Sequence, residues 1–136
     1  MSGGTQNLSG QWSGEFAYPR HIGPITPFIA TIEDQSGRLT GTIIEPDVIH
    51  GGVIDAAITG SRHGASLDFT KTYSANAPAD YADPVDYVGS LSADGAVIKG
   101  VWSLLDWDGT FEMRRDALAE EETSAHDAAQ EKVPTP

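Results

Sequence analysis

The stretch Val53-Ile54-Asp55-Ala56-Ala57-Ile58-Thr59-Gly60-Ser61, followed by Arg62-His63-Gly64 and then Ala65-Ser66-Leu67-Asp68-Phe69-Thr70-Lys71-Thr72-Tyr73, decides the fold. Its apolar residues recur every second position. Ile54 and Ile58 fall on one side with Leu67 and Phe69, while Asp55, Thr59, Asp68 and Thr70 fall on the other. A period of two is the signature of a half-buried strand, and a helix would need 3.6. His63-Gly64 between the two runs supplies the positive φ of a tight turn. The stretch is a β-hairpin with one dry face and one wet face.

The same pattern extends in both directions from Gly10 to Arg115. The strands are predicted at Gln11–Tyr18, Phe28–Glu33, Arg38–Glu45, Val53–Ser61, Ala65–Tyr73, Val85–Ser92, Ala96–Leu104 and Gly109–Arg115. Ser36-Gly37 and Asp94-Gly95 mark two further tight turns. No connection is long enough for a helical crossover, so each strand pairs with the next, and no helix is expected before Asp116. An all-β, eight-stranded antiparallel up-and-down β-barrel of the avidin or lipocalin meander type follows, because eight strands close into a small barrel. Gly14, Gly41, Gly60, Gly89 and Gly100 share the inward parity and mark tight coiling of the sheet.

The connections sort by length. The Gly turns lie at one end. Pro19–Pro27, Pro46–Gly52, Ser74–Pro84 and the shorter Leu105–Asp108 lie at the other, which makes that end the mouth. Barrels of this size hold one small ligand there.

Composition bounds the rest. The chain of 136 residues carries 20 acidic and 8 basic side chains, net −12, and has no Cys. That excludes disulfides and thiolate metal sites. It also disfavours nucleic-acid and anionic-membrane partners. Residues 1–9 form a flexible N-terminus without the basic flank and apolar run of a signal peptide, so a cytoplasmic location is expected. Residues 10–115 form the barrel. Residues 116–136 carry six acids against one base and almost no large apolar side chain. This acidic tail is expected to be disordered.

The informative residues are polar ones with inward parity. Glu45 continues Leu39-x-Gly41-x-Ile43, and Lys71 and Tyr73 continue Leu67-x-Phe69. Tyr18 ends the first strand and Tyr87 opens the sixth. All stand near the mouth, where a charge is costly unless paired or wet. Glu45 and Lys71 lie one strand apart and can meet across the lumen. The candidate ligand-binding set is Glu45, Lys71, Tyr73, Tyr87, Trp102, Phe69, Phe28 and Tyr18, with Trp107 in the last mouth loop as a lid or contact. The loops also carry His21, His50, Asp47, Asp80, Tyr81, Asp83, Asp106 and Asp108, yet no pair shows ligand spacing on one element. No metal, cofactor or catalytic residue is assigned. No nucleophile elbow, phosphate loop or zinc-protease motif is present.

Several motifs together resemble the avidin/streptavidin group over about residues 9–113. They are Gly10-Gln11-Trp12, Phe28-Ile29-Ala30, Leu39-Thr40-Gly41-Thr42, Ile58-Thr59-Gly60, Phe69-x-Lys71-x-Tyr73, Tyr87-Val88-Gly89, Ile98-x-x-x-Trp102 and Gly109-Thr110-Phe111. The resemblance implies a barrel whose pocket aromatics are Phe69, Tyr87 and Trp102. It also implies polar biotin contacts where this chain has Gly14, Tyr18, Ile43, Glu45, Val85 and Gly109, which argues against biotin. Lipocalin-like and fatty-acid-binding-like barrels are also compatible with the pattern.

The reading is thus a module that binds a partly apolar small molecule in the barrel mouth. One alternative is an isomerase or cyclase using Glu45 or Tyr73 as acid or base. Another is a ligand-free barrel acting through protein contacts. The sequence leaves homo-oligomerisation open.

Overall fold

The computed structural model describes residues 7–19 and 25–116. The expected tail from 117 onward, residues 1–6 of the N-terminus, and the loop segment 20–24 with His21 lie outside the described residues. Eight strands are present: β1 (Gly10–Ala17), β2 (Thr26–Gln35), β3 (Arg38–Pro46), β4 (Val53–His63), β5 (Ser66–Tyr73), β6 (Val85–Leu91), β7 (Val97–Leu104) and β8 (Trp107–Arg115). Each boundary falls within two residues of the one read from the pattern. All neighbours are antiparallel and sequential, and β1 pairs with β8 to close the barrel.

Parity decides the packing. Strand β2 alternates buried and exposed over its whole length. Inward residues Trp12, Phe28, Ile32, Leu39, Ile43, Ile58, Phe69, Tyr87, Ile98, Trp102, Phe111 and Met113 fill the lumen. At Gly41, Gly60 and Gly100 the carbonyls of Thr31, Asp68 and Val88 occupy the place a Cβ would take, so a side chain there would force the strands apart. The turn at Ser36-Gly37 has φ of 55° and 92°, and Gly64 and Gly95 also have positive φ.

Three details depart from the sequence reading. The last mouth loop is only a two-residue turn, since Leu104 pairs with Trp107. Leu105 takes a φ of 55° there, and Trp107 begins β8. The long β5–β6 connection contains a single 3₁₀ turn, Ala79–Tyr81, which is too short to be a crossover.

The third departure is at the lower end. Leu8 lies within the stretch expected to be flexible, yet it is 0% exposed. Its carbonyl accepts the Trp12 indole N–H at 2.9 Å, and its own N–H donates to Asp34 at 2.9 Å. Arg115 lies over the Trp12 ring and donates to the carbonyls of Asn7, Ser9 and Gly95. The bottom of the barrel is sealed.

Candidate functional site

At the upper end β3, β4 and β5 bring Glu45, Lys71 and Tyr73 together. Register sets this up: Ile43 faces Ala56, which faces Tyr73, and Ile58 faces Lys71. The small Ala56 side chain leaves room for Glu45 to reach across β4. The Lys71 ammonium donates to Glu45 Oε1 at 2.8 Å, and the Tyr73 hydroxyl donates to Glu45 Oε2 at 2.8 Å. Glu45 is 4% exposed and Lys71 1%. Both groups are therefore out of water, and the pairing compensates the charge each brings inside.

Rings complete the solvation of the ammonium. Lys71 Nζ lies 4.9 Å from the centroid of Phe16, 4.7 Å from Tyr73 and 5.4 Å from Tyr87. These distances are in the range of cation–π attraction. Burial nevertheless works against the cation and lowers the Lys71 pKa below its ordinary value, although Glu45 pulls the other way.

Above this network the mouth keeps a cavity of about 140 Å³. Its apolar wall is Phe16, Val48, Ile49, Val85 and Leu104, and its polar rim includes Tyr18, Glu45, Tyr73, Asp80, Tyr81 and Asp83. Asp47 organises the rim. Its carboxylate accepts the N–H groups of Ile49 and His50 and the Tyr81 hydroxyl at 2.7 Å. His50 stands 3.3 Å from Asp47 and 3.4 Å from Asp80, so it bridges the β3–β4 and β5–β6 loops. Burial alone would raise the Asp47 carboxyl, but these hydrogen bonds outweigh it and hold it below the usual range.

The nine candidate residues separate into two layers. Glu45, Tyr73 and Tyr18 line the cavity, and Lys71 lies beneath them. Phe28, Phe69, Tyr87 and Trp102 are buried in the core, outside the cavity wall. Phe69 stacks on Tyr87 at 4.8 Å, and the Trp102 indole donates to the Ala17 carbonyl at 3.0 Å. Gly109 makes that placement possible, because a Cβ there would collide with the indole. Trp107 is 52% exposed and meets the edge of Tyr18, which in turn packs 5.2 Å from Trp102. Val48, Ile49 and Thr26 carry no directional signal in the sequence, and Val85 and Leu104 lie outside the candidate set although they line the cavity. Val48 and Ile49 belong to a loop, where no alternation reports direction. Among the described residues no group of three possible metal ligands is found.

No protein-family model matches the chain, and no curated protein matches its sequence. Solved structures are similar in fold. One is a redesigned β-barrel with TM-score 0.67 and 15% identity, covering 85% of this chain and 96% of the other. A second is the redesigned barrel mFAP1 bound to DFHBI, with TM-score 0.63 and 11% identity over 82% and 97%. A third is a de novo designed fluorescence-activating β-barrel, with TM-score 0.60 and 13% identity over 85% and 100%. The chain is an eight-stranded antiparallel β-barrel. At these identities the likeness concerns architecture alone.

The site has an alkaline signature. Burial, then the nearby Glu45 carboxylate, raises the phenol pKa of Tyr73, Tyr87 and Tyr18. Burial and the bond to Asp47 push Tyr81 up to about 12. Below pH ~10 the tyrosines are protonated in both folded and unfolded chains, and their contribution to stability is complete. Above it the unfolded chain releases protons that the native barrel retains, so stability falls as pH rises. Lys71, with its lowered pKa, acts in the opposite direction, but it is one group against four. An ultraviolet titration should show little phenolate at pH 10 in the native protein. The tyrosines should ionise together as it unfolds. A native titration with the midpoint of free tyrosine would contradict the arrangement.

Proposed function

We propose that the chain is a small-molecule binding barrel that takes a compact, partly apolar ligand in its mouth. The observation that carries this reading is the cavity above a buried Glu45–Lys71–Tyr73 network, with aromatic and aliphatic walls and a few convergent polar groups. The volume suits a small ligand, since drug-sized pockets run from roughly 300 Å³ upward. Trp107 and Tyr18 form the adjoining rim. The core aromatics Phe28, Phe69, Tyr87 and Trp102 support that wall from beneath.

The resemblance to the avidin/streptavidin group is consistent with a mouth site, but the residues argue against biotin. At Gly14 the Phe28 ring fills the space a polar side chain would need, and at Gly109 the Trp102 ring does. Ile43 and Val85 put apolar groups at two further polar positions. The acid–base alternative gains nothing from the geometry. Glu45 is engaged through both oxygens and Tyr73 through its proton, so neither exchanges a proton with a substrate without breaking the network.

The test is a panel of small aliphatic and aromatic compounds, neutral, cationic and anionic, followed by tryptophan emission and by the indole N–H signals of Trp102 and Trp107. A saturable response that weakens at least about tenfold in Tyr18→Ala supports the reading. If no compound of any charge gives a saturable response, the binding function is wrong.

A further inference from the structure

We propose that the mouth selects a small organic cation, an alkylammonium compound with compact apolar substituents. The inference rests on the binding reading above and specifies its ligand class.

Among the described residues that line the cavity, the charged side chains are acidic. Among the described residues, the ionisable acids at its wall are Glu45, Asp80 and Asp83, and no Lys or Arg joins them. The one buried cation nearby, Lys71, is already bonded to Glu45 at 2.8 Å and lies beneath it. Asp80 is shared with His50. An anion entering this mouth would pass carboxylates without meeting a free ammonium or guanidinium in the described wall. A neutral molecule would gain apolar contact and hydrogen bonds to the rim, without the charge attraction. A monocation would gain that attraction as well, in a pocket whose low-dielectric walls strengthen it.

The wall is also built to replace the water around an ammonium. Phe16, Tyr18, Tyr73 and Tyr81 place four rings around the cavity, and Tyr73 and Tyr81 stand 4.9 Å apart. Both of those phenols donate their protons to carboxylates, Glu45 and Asp47. That shifts electron density onto the rings and makes their faces better partners for a cation. The molecule already solvates an ammonium in this way: Lys71 Nζ lies within 5 Å of the Phe16 and Tyr73 rings, both of which belong to the cavity wall. A volume of 140 Å³ limits the ligand to a compact head such as a trimethylammonium group.

Three probes of nearly one shape separate the possibilities: choline, dimethylbutanol with carbon in place of the nitrogen, and the trimethylacetate anion. Their affinities are measured by calorimetry and by the Trp102 and Trp107 indole signals. Choline is expected to bind at least tenfold more tightly than the alcohol, with trimethylacetate weakest. Asp83→Asn, on an exposed loop, should lower choline affinity about threefold to tenfold and narrow its margin over the alcohol. If the alcohol or the anion binds as well as choline, the cation assignment is overturned while the binding function stands. The same holds if all three probes are silent but the wider panel yields a neutral or anionic ligand at these signals. Silence of the whole panel overturns both.

Discussion

Lys71→Met is expected to destabilise the barrel by about 3–5 kcal/mol in a urea titration at neutral pH. Methionine keeps the length and apolar bulk of the lysine stem, so packing against Phe16, Tyr73 and Tyr87 is largely preserved. What is lost is the ammonium, and Glu45 is then a carboxylate out of water held by the Tyr73 hydroxyl alone. The cost arises from stranding a charge and exceeds the net worth of the pair. Adding Glu45→Leu should therefore recover most of the loss, since an apolar replacement of both members removes the unpaired group. A single variant within about 1 kcal/mol of the parent would show that Glu45 is not held in a dry environment. The site would then have to be rebuilt around a wet mouth.

The second large effect is expected at the sealed end. Asp34 has no side-chain exposure, and its carboxylate accepts the N–H groups of Leu8 and Gly37 at 2.9 Å as well as the Arg62 guanidinium. Asp34→Ala leaves two backbone donors and a half-shielded cation without their acceptor, a loss of roughly 3 kcal/mol or more. It should also free Leu8 and expose Trp12 to quenchers. The parent protein should show the corresponding acid sensitivity. Burial alone would raise the Asp34 carboxyl, but the hydrogen bonds from Arg62, Leu8 and Gly37 outweigh it and hold its pKa below the unfolded value of 3.8. The stabilisation is therefore complete above that value and is lost as pH falls through the native pKa. Asp34→Asn, which cannot take up the proton, should show a smaller drop between neutral pH and pH 3. An equal drop in both proteins would place the acid-sensitive group elsewhere.

Glu45, Lys71 and Tyr73 were legible in the sequence because each sits two residues beyond an inward neighbour on a well-marked strand. Asp34 continues the same parity after Phe28, Ala30 and Ile32, but the polar run Glu33-Asp34-Gln35 reads as the end of a strand. The pairing of Asp34 with Leu39 and of Gln35 with Arg38 shows that β2 goes on. Leu8 gave no signal at all: one apolar residue in a short polar segment has no period, and its burial depends on a barrel end that exists only after closure. The mouth loops behave alike. Asp47 was visible as a loop acid, but its bond to Tyr81, like the His50–Asp80 contact, joins segments about thirty residues apart.

By itself the sequence determined the number of strands, their order, and which side chains face inward. Those follow from a two-residue period and from turns that only Gly-containing pairs make readily, and both are local. Tertiary structure decided depth. Whether an inward side chain packs the core, as Phe69 and Trp102 do, or borders the cavity, as Tyr18 and Tyr73 do, depends on the tilt and stagger imposed when β1 pairs with β8. The β3–β4 and β4–β5 registers place Glu45 against Lys71 across β4, and closure leaves a lower end that Leu8 seals. Parity along one strand carries no information about height in the barrel, because height is set by the register of all eight strands together.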